Sequence, residues 1–162
     1  MEKITEILAD QDLSEVTEVI RRSFLTVAND FGLTKENAPT NPAFITCEDL
    51  KGSLARGLRL FGMIHEGKNI ACVGIEPSNE KDVYYLERLA VLPEHRHRGI
   101  GLRVMDYAIA RIREHGGRRV SIGIIDENER LKAWYARHGF IEKGRKTFQH
   151  LPFTVCFMER ER

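Results

Sequence analysis

The sequence predicts an α/β fold: a mixed β-sheet with helices on both faces, in the order β-α-α-β-β-β-α-β-α-β-β. Three observations carry that reading. Mostly apolar residues share a face at helical spacing in three separate windows: Val16, Val19, Ile20, Phe24 and Val27; Met105, Ala108, Ile109 and Ile112; and Leu131, Trp134 and Tyr135 with His138. Between them lie short apolar runs of strand length, above all VYYLERLAVLP at 83–93 and RVSIGIID at 119–126. Gly, Pro and Asn fall where those windows change period.

Residues 3–9 read as a first strand, and Asp12 or Ser14 is placed to cap a helix over 13–28. FGLTKENAPTNPAFIT, with two prolines, reads as a loop, and Thr46 offers an N-cap for a short helix over 47–56. Strands near 58–65 and 69–76 join through the hairpin signal His65-Glu66-Gly67-Lys68. The strand over 83–93 stops at Pro93, and a helix follows that Gly116-Gly117 ends. The run 119–126 is apolar enough for a buried parallel strand. Asp126 or Asn128 can cap a helix through 138, with Gly139 as its left-handed terminator. Strands near 140–147 and 153–160 close the fold around the loop FQHLPF.

Composition narrows the function. A length of 162 residues suits one domain, 1–162, and 42% hydrophobic residues can build its core. Lys and Arg number 25 against 24 acidic residues, so no global field draws nucleic acid or a membrane surface. Cys47, Cys72 and Cys156 are widely spaced and form neither a disulfide framework nor a zinc motif. The N-terminal stretch lacks an apolar run of signal length, and no window approaches the roughly 18 apolar residues of a membrane span. The expectation is a soluble cytoplasmic protein.

The stretch EHRHRGIGLRV puts two glycines among basic residues at the mouth of a helix. Unpaired N–H groups and the positive end of the helix dipole make such a place suited to an anion, and glycines let the backbone come close. Arg96, Arg98 and Arg103 add local charge. The same residues also suit a tight turn beside a solvated basic surface. A GxxxxGK[ST] phosphate loop is absent, and the dinucleotide pattern GxGxxG fails because Val104 stands at its third glycine.

Arg96-x-x-Gly99-x-Gly101 resembles the R/Q-x-x-G-x-G/A signature of the GNAT superfamily of acyl-CoA-dependent N-acyltransferases. NERLKAWYARHGF, one helix and one strand later, resembles that family's second signature. The resemblance is specific over 83–140 and rests on element order elsewhere. It implies acetyl-CoA as acyl donor and an amine-bearing acceptor, with direct transfer and no metal. It also implies that the backbone of Arg96, His97, Arg98, Gly99, Ile100, Gly101 and Leu102 holds the cofactor's pyrophosphate. Leu89, Ala90 and Val91 would pair with its pantetheine arm, Asn128 would bond that arm near the thiol, and Tyr135 would protonate the leaving thiolate. The strands would splay apart after the pyrophosphate loop to admit the cofactor.

Each candidate has a plainer role beside it. Tyr135 also belongs to the apolar stripe of its helix, and Asn128 is a good N-cap. Glu87 is the candidate base on the cofactor strand, because it shares parity with Leu89 and Val91 while Arg88 points to the opposite face. A base or a water path is needed because an amine of pKa near 10.4 is neutral about once in two to three thousand molecules at pH 7. His150 is a rival base; His95 and His97 lack a third ligand for a metal; Cys156 reads as a strand interior residue. The loop 31–46 and FQHLPF would line the acceptor end, with Glu36, Glu48 and Glu87 as partners for a cationic amine or a protein lysine. A non-catalytic acyl-CoA sensor is the alternative, and a homodimer is left open.

Overall fold

The computed structural model describes residues 2–162. Its elements follow the expected order: β1 (Glu2–Ile7), α1 (Ser14–Asp30), α2 (Cys47–Ala55), β2 (Arg59–His65), β3 (Lys68–Pro77), β4 (Val83–Val91), α3 (Ile100–Glu114), β5 (Arg119–Ile125), α4 (Glu129–Arg137), β6 (Ile141–Thr147) and β7 (Thr154–Glu161). Single 3-10 turns at Pro42–Phe44 and Pro93–His95 stand where proline ends the preceding extended chain.

Local chemistry sets most boundaries. β1 stops two residues earlier than expected because Leu8 enters a turn, its N–H donating to Gln11 Oε1 at 3.1 Å and its carbonyl accepting from Gln11 N–H at 3.1 Å. Thr46 caps α2 as expected, in a reciprocal capping box with Asp49. The expected cap of α1 is corrected: Leu13 holds the N-cap position, and the Asp12 carboxylate accepts from the Ser14 N–H at 3.0 Å. Asn128, not Asp126, caps α4, its Oδ1 accepting from Leu131 N–H at 3.1 Å. Gly139 follows α4 at φ 92°, a left-handed conformation that a side chain would strain.

The seven strands lie in the order β1-β2-β3-β4-β5-β7-β6, and every pairing is antiparallel except β4 with β5. That parallel pairing covers only Val83–Arg119, Tyr84–Val120 and Tyr85–Ser121. Beyond Tyr85 the two strands part. The expectation of a buried parallel strand over 119–126 therefore holds on one side for three residue pairs, while β7 pairs antiparallel with all of β5. β4 stays on β3 as far as Val91, but a bulge sets Arg88 and Leu89 opposite the single Val73.

α1 and α3 both pack on β3 and β4. Tyr107 of α3 meets Phe61 edge to face, with ring centroids 5.4 Å apart, and α1 covers the other face of the sheet. Phe61, Met63, Val73, Ile75, Met105 and Ile112 are among the wholly buried side chains of the core. A smaller cluster of Ala28, Leu33, Ala38, Ala43 and Ile125, with Phe44 and Phe153 against it, folds the loop after α1 onto the end of β5 and the β6–β7 connection. Both segments expected at the acceptor end are thus drawn to the mouth of the β4–β5 gap. Among the described residues no helix is long and apolar enough to cross a membrane.

Candidate active site

The gap between β4 and β5 is flanked by elements that carry several candidates: β4 holds Glu87, Leu89, Ala90 and Val91, and β5 leads through Asn128 into the helix of Tyr135. At its mouth the chain runs from Val91 through the Pro93–His95 turn into α3. His97 (φ 64°) and Gly99 (φ 76°) are both left-handed, an arrangement of the kind that turns successive N–H groups into an anion-binding concavity. The first helical bond of α3 is from Arg103 N–H to the Gly99 carbonyl, at 3.1 Å. The N–H groups of His97, Arg98, Gly99, Ile100, Gly101 and Leu102 donate to no acceptor among the described residues. Six adjacent free donors at a helix N-terminus amount to a ready seat for a phosphate.

The expected set also included Arg96. Arg96 N–H is engaged by the Pro93 carbonyl at 3.3 Å. Its guanidinium also points away from the loop. Nη2 donates to the Ser23 carbonyl at 2.9 Å, Nη1 to Thr26 Oγ1 at 3.2 Å, and Nε to the Val91 carbonyl at 3.4 Å. Arg96 therefore straps the loop to α1 instead of adding charge to it, and Arg103 is drawn off to Glu2 at 2.6 Å. Arg98 is exposed and forms no ion pair with a described residue. Sequence reasoning missed Ser23 and Thr26; the signal was a serine continuing the apolar stripe of α1 after Val16, Val19 and Ile20.

Of the three strand residues, Ala90 faces Cys72 across the β3–β4 ladder. Val91 N–H meets Ser23 Oγ at 3.3 Å, so both polar backbone groups of Val91 are already engaged. Leu89 lies in the bulge beside Arg88, opposite Val73.

The bulge also overturns the parity argument for Glu87. Gly74 pairs with Glu87 and Cys72 with Ala90, so Glu87 shares a face with Ala90 and not with Val91, while Leu89 falls in the bulge. Arg88, expected on the opposite face, takes a left-handed φ of 51° and sets Nη1 3.8 Å from Glu87 Oε2. Its Nη2 reaches Ser53 Oγ of α2 at 3.3 Å, and its buried Nε has no partner. Glu87 keeps 33% of its side-chain surface exposed. Burial, first, and then the Glu76 carboxyl beside it push its pKa up to about 7, against a smaller opposing pull from Arg88.

Tyr135 is 5% exposed, wedged edge to face between Trp134 (5.0 Å) and Phe140 (5.2 Å). Its hydroxyl bonds to no described residue, and burial holds its pKa well above the usual phenol value, so it stays protonated. Trp134 connects this helix to the loop: a methyl placed on Gly101 would lie 3.6 Å from Trp134 Cζ2 and 3.8 Å from Val91 Cγ2. Strand, loop and Tyr135 helix are thus one packed unit. Asn128 spends Oδ1 on its cap, and its amide nitrogen donates to no described residue.

His150 is exposed and meets Phe148 edge to face at 5.8 Å, and His95 meets His65 edge to face at 6.1 Å. Asp126, Glu142 and Cys156 bring potential ligand atoms within 4.8 Å of one another. Lys132, almost wholly buried, already places its ammonium 2.6 Å from Asp126 and 3.8 Å from Glu142, so that cluster is neutralised from within. A polar hollow around the 77–84 turn, His115 and Gly116 lies at the far end of β4 from the loop.

The chain is similar to known proteins in sequence and in fold. The chain is 28% identical over 85 residues to an uncharacterised N-acetyltransferase of Mycobacterium tuberculosis, a stretch covering 52% of this chain and 54% of that relative. It thus spans about half the length of that curated relative. It is also 28% identical over 131 residues to an amino-acid acetyltransferase of Pseudomonas putida, covering 80% of this chain and 29% of the other. In fold it is similar to a PaiA N-acetyltransferase from Thermoplasma acidophilum in complex with coenzyme A, with a TM-score of 0.81 at 18% identity, covering 100% of this chain and 99% of that one. A GNAT family acetyltransferase from Elizabethkingia anophelis with acetyl-CoA bound gives a TM-score of 0.70 at 12% identity, over 99% and 98% of the two chains. The model of the acetyltransferase (GNAT) family matches residues 20–140, three quarters of the sequence, and the chain belongs to that family.

Proposed function

We propose that the protein transfers an acetyl group from acetyl-CoA directly to a primary amine. The observation that carries this reading is the row of six unpaired N–H groups from His97 to Leu102, at the head of a gap opened by the parting of β4 and β5. The residues fit the cofactor. A diphosphate needs donors without a competing acceptor, and an amide-bearing arm needs an unpaired strand edge, which β4 offers beyond Tyr85.

Bound there, acetyl-CoA supplies a thioester that an uncharged amine can attack. The protein's own groups handle the protons. An acceptor arriving as an ammonium must lose one, and Glu87, poised near neutrality, is ionised in enough molecules at pH 7 to take it directly or through water. Tyr135, kept protonated by burial, gives a proton to the departing sulfur. Arg96 holds the loop in register by its bonds to Ser23 and Thr26, and the Asn128 amide nitrogen is available to the arm. No covalent intermediate on the enzyme is required.

A primary amine of a small molecule or of a protein satisfies this chemistry. Thiol release from acetyl-CoA, measured against free amino acids, polyamines, lysine-containing peptides and peptide N-termini, tests the reading. Amine-dependent release that rises with pH through about 7 supports it. Acetyl-CoA binding without amine-dependent release from any member of the panel contradicts it.

A further inference from the structure

We propose that Glu76 is a positioning residue for the acetyl-transfer reaction: it acts through Glu87, holding that carboxyl in a proton-sharing pair on the α1–α2 side of the sheet. The inference rests on Glu87 being the base and adds what sets its strength. Its foundation is strand register. Glu76 pairs with Tyr85 and Gly74 with Glu87, which puts Glu76 and Glu87 on one face of the β3–β4 ladder as diagonal neighbours. Gly74 supplies no side chain between β3 and Glu87, so nothing on that strand separates the two carboxyls.

The bulge is the second observation. Without the extra residue opposite Val73, Ala90 and Glu87 would fall on opposite faces, and Glu87 would sit in a different relation to the cofactor strand. The extra residue comes with a left-handed Arg88, a backbone conformation that strains any residue with a side chain. Arg88 then stands 3.8 Å from Glu87 with its Nε unpartnered. Two carboxyls and one guanidinium carry an excess of one negative charge when all are ionised. Two carboxylates close together cannot both ionise freely, so one retains its proton to higher pH. The charged groups acting on Glu87 are Glu76 from β3 and Arg88 from its own strand; burial and Glu76 raise its proton affinity, and Arg88 lowers it.

The test separates this proposal from the reading beneath it. Protein carrying glutamate labelled with carbon-13 at the side-chain carboxyl is titrated by NMR, with the Glu87 signal assigned by its loss in Glu87→Gln. Wild type should show a midpoint near 7. In Glu76→Gln, checked for unchanged fold and acetyl-CoA affinity, the midpoint should fall by roughly one unit or more. Glu76→Asp, which keeps the charge, should restore part of the shift. The acid limb of kcat/KM for the amine should move with the NMR midpoint. An unmoved Glu87 midpoint in Glu76→Gln overturns the pairing whatever the kinetics show. A moved midpoint with a fixed acid limb overturns the role of Glu76 in catalysis. Survival of the acid limb in Glu87→Gln overturns Glu87 as base, and so the underlying reading.

Discussion

The guanidinium of Arg96 lies on the backbone of Ser23, Nη2 to carbonyl oxygen at 2.9 Å, across 73 residues of sequence. It fastens the 97–102 loop to the helix on the opposite face of the sheet. The charge holds that loop in position, and the loop's own N–H groups stay unpaired among the described residues. Arg96→Met keeps the stem but loses the hydrogen bonds to Ser23, Thr26 and Val91. It should destabilise the protein by about 1–3 kcal/mol and weaken acetyl-CoA on the order of tenfold, as read by urea unfolding and calorimetry. Unchanged affinity in a folded variant would show that the loop holds its shape without the strap.

Gly99 and Gly101 should respond differently. Gly99 is left-handed with open space around it, so Gly99→Val meets backbone strain of about 1–2 kcal/mol rather than a clash. At Gly101 a Cβ makes ordinary contacts with Trp134 and Val91, so Gly101→Ala should fold and bind nearly as wild type. Gly101→Val adds methyls against Trp134 or into the gap and should cut acetyl-CoA affinity tenfold or more, roughly 1.4 kcal/mol. Calorimetry on the two Gly101 variants checks the contrast; equal affinities would remove the close approach from the account.

Glu87 makes stability depend on pH in a definite direction. Its folded pKa lies near 7, above the value of an unfolded glutamate, so the native state binds more protons between those two values. Stability contributed by this group is lost as pH rises through that window. Glu87→Gln cannot titrate, so relative to wild type it should gain stability from pH 5 to pH 8. Its activity deficit should be largest near neutrality and shrink at high pH, where free amine is abundant. Urea midpoints at the two pH values test the first statement; a constant difference would contradict it.

Tyr135→Phe removes one hydroxyl and keeps the ring between Trp134 and Phe140. Fold and acetyl-CoA affinity should change little, while single-turnover transfer falls by roughly 10²–10⁴-fold. Single-turnover kinetics are the proper assay, because slow product release would mask the loss in steady state. Unaltered transfer would make Tyr135 a packing residue and bring a binding module without turnover back into view.

Period and punctuation were enough to read the element order, because each helix carries its own apolar stripe and each turn its own Gly, Pro or cap. Spacing also put the Gly99–Gly101 turn at the head of α3 and Tyr135 on the buried stripe of α4, because those motifs are contiguous in sequence. What stayed hidden depends on register. The bulge at Arg88 arises from pairing β4 with β3, and no local signal on 83–93 marks a left-handed arginine there. One inserted residue reverses a period-two argument, which is why Glu87 was assigned to the wrong face and its neighbour Glu76 went unnoticed. Arg96 was read as ligand charge because its partners, Ser23 and Thr26, lie a full domain half away.

The seat of the cofactor is the claim on which the rest depends, and amide NMR reads it directly. Adding acetyl-CoA to nitrogen-15-labelled protein should shift the six free N–H signals from His97 to Leu102 together, saturating at one common affinity. The Arg96 amide, already bonded to Pro93, should move less. Shifts confined to the polar hollow around the 77–84 turn, with those six amides unmoved, would contradict the account.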